Sequence, residues 1–134
     1  MANLVYDQAL SFGKRAISAG EFPDILNLGK KDNSKDHYPG KESVSVGGLT
    51  VDVLCSGAAG GTNLTVNVQG SNDGATGWTG VGTNIATLAE IQAGPVKVAI
   101  SPNEFQYLRV SLAATGIFTA GGTAEAFLNT YMGK

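Results

Sequence analysis

Alternation of apolar and polar residues runs through the second half of the chain and predicts short β-strands. Five segments carry β-branched or aliphatic residues at alternate positions, which is typical of a strand with one buried face. These segments are 49–54, 64–69, 96–100, 106–112 and 123–131. Shorter apolar runs at 25–28 and 43–46 bring the expected number of strands to seven or eight.

Turn-forming residues separate the predicted strands. Glycine supplies positive φ, proline fixes φ, and Asn or Asp side chains bond to the nearby backbone at 70–74, 94–95, 101–103 and 115–116. A weak helical stripe at 9–17 is interrupted by Gly13, which disfavours a helix there. The pattern predicts an all-β fold, a jelly-roll-like antiparallel β-sandwich, and the length of 134 residues fits a single domain over 1–134.

Charge divides the chain into a polar front and a sparsely charged body. Residues 1–42 contain six of the nine basic and six of the eleven acidic side chains. We expect residues 1–24 to form an N-terminal arm. The segment 29–42 is too polar to bury and too long for a hairpin turn, so we expect a long polar surface loop, a kind of segment that is often functional.

Composition argues against several partners. A net charge of -2, with 15% charged residues, gives no strong field for nucleic acid or for an anionic membrane. No apolar stretch approaches the roughly 20 residues of a membrane span, and the first residues lack the pattern of a secretion signal. We therefore expect a protein made in a cytoplasm, with neither nucleic acid nor membrane as a partner.

The titratable residues predict neither catalysis nor a metal site. The one histidine, His37, lies in the polar loop without a second ligand at suitable spacing. Asp32, Asp36 and Glu42 do not match a calcium loop in spacing, and lysines lie among them. Cys55, the one cysteine, falls in an apolar alternating run and is predicted to be a small buried hydrophobe. We expect no catalytic residue, no metal and no cofactor, and hence a protein that is not an enzyme.

The single tryptophan, Trp78, lies in the glycine-rich segment 70–82, which lacks the ending of a phosphate-binding loop and is interpreted as a turn. A core or interface role for its ring is favoured, because few carboxylates and amides are near it in sequence. The alternative is a platform for stacking a sugar. Trp78, Tyr38 and Tyr131 would then be the binding residues of a carbohydrate-binding jelly-roll module on a virion surface.

Short motifs spread along nearly the whole chain point to a known family. They are Tyr6-Asp7-Gln8-Ala9-Leu10-Ser11, Ala16-Ile17, Ile25-Leu26-Asn27-Leu28-Gly29, Gln106-Tyr107-Leu108-Arg109-Val110, the segment 116–122 and the last strand. In order and spacing they resemble the capsid cement (decoration) proteins of tailed phages, of the Bordetella podophage type. The basic residues Lys30, Lys31 and Lys35 and the turn at Trp78 depart from that family.

The resemblance implies a jelly-roll sandwich on the outside of a capsid. Such a protein binds the assembled lattice of the major capsid protein and stabilises the shell, without a cofactor, an active site or a small-molecule substrate. Placement on symmetry axes favours a closed homo-oligomer, here a homodimer or homotrimer.

Seven residues are candidates for contact with the capsid or with other copies of the chain. Residues 2–11 can add a strand to a neighbour's sheet, with Leu4, Tyr6 and Leu10 on one face. The alternative is that they form an edge of their own sandwich. The full set of candidates is Leu4, Tyr6, Leu10, Lys30, Lys31, Tyr38 and Trp78.

Overall fold

A computed structural model describes residues 10–28, 49–102 and 105–129 of the chain. Within these ranges there are nine strands and one short helix. Their bounds are β1 Ser11–Ala16, β2 Gly20–Glu21, β3 Leu26–Asn27, β4 Thr50–Ser56, β5 Asn63–Ser71, β6 Thr79–Thr87, α1 Leu88–Ala93, β7 Val96–Ala99, β8 Tyr107–Thr115 and β9 Thr123–Asn129.

The strands form two sheets in which the described pairs are antiparallel. The first sheet has the order β1-β9-β4-β7, and the second has the order β2-β8-β5-β6. The short strands β2 and β3 both pair with β8, since Gly20 lies opposite Leu112 and Leu26 opposite Leu108. The predicted all-β antiparallel sandwich is confirmed, whereas the jelly roll stays a prediction.

The apolar faces of the two sheets make the core. In β5, Leu64, Val66 and Val68 are fully buried, while the residues between them are partly exposed. The same alternation in β8 buries Leu108 and Val110. The first sheet contributes Val51, Val53, Val96, Val98, Ala124, Ala126 and Leu128. Burial of these alternate residues is the driving force for the sandwich, because each large apolar side chain removed from water contributes roughly 1.5–3 kcal/mol.

Most of the predicted strands are present where alternation placed them. The segments 49–54, 64–69, 96–100 and 106–112 correspond to β4, β5, β7 and β8. The segment 123–131 corresponds to β9 as far as Asn129, and only Leu26–Asn27 of the run 25–28 are paired. The predicted strand at 43–46 and the predicted loop at 29–42 lie outside the described residues.

The predicted N-terminal arm is wrong for residues 10–24, which belong to the sandwich. Strand β1 pairs with β9, and Phe12, Ile17 and Phe22 are buried. A register shift between Ser11 and Gly13, with Gly13 at φ +95°, breaks the period of two along β1. The irregular spacing resembles a weak helical stripe in the sequence. Residues 1–9 lie outside the described part of the chain.

Strand β6 and helix α1 were also missed. β6 contains Gly80 and Gly82 and buries only Val81 and Ala86, so its apolar alternation is faint. The helix is six residues long, too short for a periodic stripe, but Thr87 and Glu90 form a capping box at its start. This Thr-x-x-Glu spacing is the sequence feature that predicts the start of the helix.

Substitution Phe12→Ala tests whether β1 is part of the sandwich. The ring is fully buried, so its removal should cost about 3–5 kcal/mol of unfolding free energy and lower the Tm by roughly 10–20 °C. Thermal unfolding followed by circular dichroism measures the change, with the exposed Lys14→Ala in the same strand as the control. An unchanged Tm for Phe12→Ala would contradict the pairing of β1 with β9.

Candidate functional site

Two of the seven predicted contact residues fall within the described part of the chain. Leu10 is 2% exposed and packs in the core directly before β1, so it is not available to a neighbouring chain. The prediction that Leu10 contacts the capsid or another copy of the chain is therefore wrong, because its apolar side chain packs in the protein's own interior. Trp78 is half-buried and lies at the surface. The other candidates, Leu4, Tyr6, Lys30, Lys31 and Tyr38, and likewise Tyr131, lie outside the described residues.

The outer face of the second sheet carries rows of neutral polar side chains. Because alternate residues of β5 point inward, Asn67 and Gln69 point outward. The register places Asn67 between Ser111 of β8 and Thr83 of β6. The Thr83 hydroxyl donates to Asn67 Oδ1 at 2.8 Å. These groups both donate and accept hydrogen bonds, and none is charged.

A groove with a volume of about 620 Å³ follows this outer face along β5 and β6. Its lining side chains are uncharged and include Asn67, Gln69, Thr83, Ser101 and Ser111. Gly80 leaves the groove open, since a Cβ built there has no heavy atom within 4 Å. The Ser101 backbone N–H donates to the Val81 carbonyl at 2.8 Å, and this bond joins two of the residues that line the groove.

Trp78 is not among the residues that line the groove, but it lies two residues before the lining residue Gly80 and contacts Arg109, which bonds to the lining residue Gln69. The guanidinium carbon of Arg109 lies 4.2 Å from the centre of the Trp78 ring, in a cation–π contact. Arg109 Nε donates to Gln69 Oε1 at 2.8 Å, and Arg109 Nη1 lies 3.2 Å from the Glu21 carboxylate. Of the predicted core or interface role of Trp78, the core part is wrong, because the ring packs on Arg109 at the outer face of the sheet. The interface part stays a prediction. The side chains around the ring come from three strands, so sequence proximity to Trp78 underestimates its polar surroundings.

The loop that carries Trp78 is built around Asp73. The Asp73 Oδ1 atom accepts from the backbone N–H groups of Thr76 at 2.8 Å and Ala75 at 2.9 Å. The Thr76 hydroxyl donates to Oδ2 at 2.7 Å. These bonds, with a further contribution from the Ser71 hydroxyl, hold the pKa of Asp73 far below its usual value. The carboxylate therefore fixes the loop at neutral pH.

The same loop also packs against β8. Gly74 has φ +75°, and a Cβ there would lie 2.9 Å from Cδ2 of Tyr107. The backbone of the loop thus lies directly on the Tyr107 ring, which only glycine permits at this position. Trp78 follows four residues later, so its approach to Arg109 is set by a rigid turn.

Several other charged groups of the described residues maintain the fold. The Asp52 carboxylate is fully buried and is met by Lys97 Nζ at 2.8 Å, Thr50 Oγ1 at 3.0 Å and Asn129 Nδ2 at 3.2 Å. Arg15 donates to the backbone carbonyl of Glu21 at 2.7 Å and so ties β1 to β2. These contacts assign structural roles to the buried carboxylate and to Arg15.

Metal-ligand types do not cluster in the described ranges. Within 10–28, 49–102 and 105–129, no three His, Cys, Asp or Glu side chains are grouped as a metal ion would require. Cys55 is partly buried against the core, and burial raises the pKa of its thiol to about 11. The thiol is therefore protonated at neutral pH, in agreement with its predicted role as a hydrophobe. The expected absence of a metal and of a cofactor stays a prediction.

Comparison with protein-family profiles gives no match to this chain, and comparison with curated proteins gives none either. In the described part of the chain, no helix has both the length and the apolar character needed to cross a membrane.

Substitution Asp73→Asn tests the carboxylate at the centre of the loop. Because the pKa of Asp73 is lowered in the folded state, its charge stabilises the protein above the unfolded-state pKa of about 3.9. That stabilisation is lost as pH falls through the folded-state pKa. The Tm of the wild type should therefore exceed that of Asp73→Asn at pH 7, and the difference should shrink in acid below about pH 4.

Thermal unfolding across this pH range measures the difference. The variant Asp24→Asn removes one carboxylate elsewhere on the surface and corrects for the change in net charge. Equal Tm values for the wild type and Asp73→Asn at pH 7 would contradict the role assigned to the charge.

Proposed function

We propose that this chain is a structural virion protein, a capsid cement protein that binds the outside of the assembled major capsid protein lattice and stabilises the shell. Two kinds of support exist. The motifs along the chain resemble tailed-phage cement proteins, and the all-β sandwich is the fold class that this resemblance implies.

The order of the strands supports the finer inference of a jelly roll. If β2 and β3 count as one interrupted strand, the described residues contribute four strands to each sheet. Successive strands then change sheet at every connection except the hairpin between β5 and β6. Such repeated crossing between two sheets is typical of a double Greek key and so supports the jelly roll.

The observation that carries the proposal is an apolar side chain displayed by a well-packed loop. Ile117, between β8 and β9, is 88% exposed, the most exposed large hydrophobe of the described residues. Phe118 beside it packs on Gly61, where an added Cβ would collide with the ring. The Thr119 backbone N–H donates to the Ala59 carbonyl at 2.8 Å. The loop is therefore held in place while its isoleucine points into solvent.

A displayed isoleucine on a held loop suits contact with another protein. Its burial contributes roughly 1.5–3 kcal/mol. The loop is already ordered, so little conformational entropy is lost on binding. Apolar anchors of this kind dominate many interfaces. We infer that the loop 116–122 contacts the capsid lattice, a segment that is also among the motifs of the resemblance.

A contact that buries one isoleucine per copy is sufficient for a cement protein, because many copies bind to one shell. A ligand that binds the assembled lattice more tightly than the free subunits stabilises assembly by mass action, and a shell offers many equivalent sites. No catalytic step is needed. A closed homodimer or homotrimer would multiply the contacts further, and this oligomeric state is part of the proposal.

Substitution Ile117→Asp should release the protein from the shell. A charge at this position opposes burial, so the fraction that co-sediments with purified shells lacking the chain should fall about tenfold or more. Ile85→Asp is the matched control, because Ile85 is the next most exposed isoleucine, at 62%, and lies on β6. Circular dichroism confirms that both variants are folded.

Two results would count against the proposal. Failure of the wild-type chain to co-sediment with shells, or to appear on them in negative-stain images, would end it. If Ile117→Asp and Ile85→Asp reduce co-sedimentation equally, the loop 116–122 is not the part of the protein that contacts the shell.

The N-terminal segment gives a second test. Residues 2–9 retain the proposed role of adding a strand to a neighbour's sheet, with Leu4 and Tyr6 on one face. Their deletion should reduce binding to shells while the Tm stays near that of the wild type. A large fall in Tm would instead assign residues 2–9 to the protein's own sandwich.

A further inference from the structure

We propose that the groove on the outer face of the second sheet binds a neutral oligosaccharide, and that Trp78, beside the groove, gives the ligand a stacking surface. This site is separate from the loop 116–122 and does not depend on the capsid proposal. The ligand class follows from the chemistry of the lining, the position of the tryptophan and the shape of the groove.

The lining matches a polyol in its hydrogen-bonding character. Sugar hydroxyls donate and accept at once, and so do the amides of Asn67 and Gln69 and the hydroxyls of Thr83 and Ser111. These groups come from three adjacent strands whose register is fixed by backbone pairing. A ligand with hydroxyl groups along its length can therefore meet several partners without disturbing the sheet.

Charge complementarity favours a neutral ligand. The side chains that line the groove are uncharged. At its border the cation Arg109 is paired with Glu21 at 3.2 Å and bonded to Gln69 at 2.8 Å. A carboxylate or phosphate on the ligand would have to compete with the Glu21 contact, whereas a neutral sugar would not.

Trp78 supplies the apolar surface that a pyranose ring needs. An indole ring has a broad apolar body, and the C–H faces of sugars pack on such surfaces. Arg109 covers one side of the ring, yet Trp78 stays partly exposed. Because the Asp73-centred loop holds Trp78 in place before binding, stacking should require little rearrangement.

The shape of the groove fits a small chain molecule. Its volume of about 620 Å³ lies within the range of roughly 300–1,000 Å³ typical of small-ligand sites. Gly80 keeps it open, since no heavy atom lies within 4 Å of a Cβ built at this residue. A side chain at Gly80 would therefore enter the groove without displacing the protein.

The test compares two glycine substitutions with the same added side chain. Gly80→Leu fills the groove. Gly94→Leu is the matched control, because a Cβ at Gly94 also meets no atom within 4 Å and its φ of 175° is extended. The probes are a glycan array of neutral bacterial and plant oligosaccharides, followed by titration of soluble maltohexaose, cellohexaose and mannohexaose. Hyaluronan hexasaccharide is the anionic comparison.

Fluorescence of the single tryptophan reports binding directly at the proposed site. We expect at least one neutral oligosaccharide to shift the emission of Trp78 with millimolar or stronger affinity. Gly80→Leu should weaken that binding about tenfold or more, and Gly94→Leu should leave it within about twofold. If Gly80→Leu is unfolded by circular dichroism, Trp78→Ala followed by calorimetry takes its place.

Three results would overturn the inference. These are no neutral hit on the array, binding of the anionic probe alone, and neutral binding that Gly80→Leu leaves unchanged. The capsid test stays distinguishable, since Ile117→Asp should retain oligosaccharide binding and Gly80→Leu should retain binding to shells.

Discussion

The antiparallel pairing of β5 with β8 forms the centre of the second sheet and sets which side chains face the core and which face outward. It runs from Asn63 opposite Thr115 to Ser71 opposite Tyr107, and its inward residues are buried except for Ala114, which is partly buried. Because successive residues of a strand point to opposite faces, the same register that buries Val66 and Val68 presents Asn67 and Gln69 outside. A shift of one residue would exchange the core and the candidate binding face, and burial of the apolar face strongly opposes such a shift.

The two strands also carry the two proposed sites to opposite ends of the sandwich. The loop with Trp78 leaves β5 beside the start of β8, and the loop with Ile117 follows the end of β8. A nine-residue strand separates these ends by roughly 25–30 Å. Each loop is held by its own contacts, the Asp73 carboxylate at one end and the Thr119–Ala59 bond at the other. The molecule can thus offer an apolar anchor and a polar groove to different partners without conflict.

Sequence patterns predicted the regular strands and missed the irregular ones. The strands β4, β5, β7, β8 and β9 were predicted because apolar residues recur at alternate positions in them, although Asp52 of β4 and Phe127 of β9, on the opposite face, are buried as well. β1 and β6 were missed, because a register shift near Gly13 and the glycines of β6 interrupt the alternation. The groove could not be predicted, since it depends on which residue of β6 lies opposite Asn67, and the local sequence does not encode that register. Leu10 was misassigned because alternation shows that one face of a strand is apolar. It does not show whether that face packs in the protein's own core or against a neighbouring chain.

Amide hydrogen exchange measures whether the β5–β8 scaffold holds both loops in place before any partner binds. Slow exchange is expected for the paired core amides of Val66, Val68 and Val110. Measurable protection is also expected at Thr76 and Thr119, whose N–H groups bond to Asp73 and to Ala59. Protection confined to the strands, with Thr76 and Thr119 exchanging as fast as an unstructured peptide, would contradict preorganised loops and with them the basis of both proposed sites.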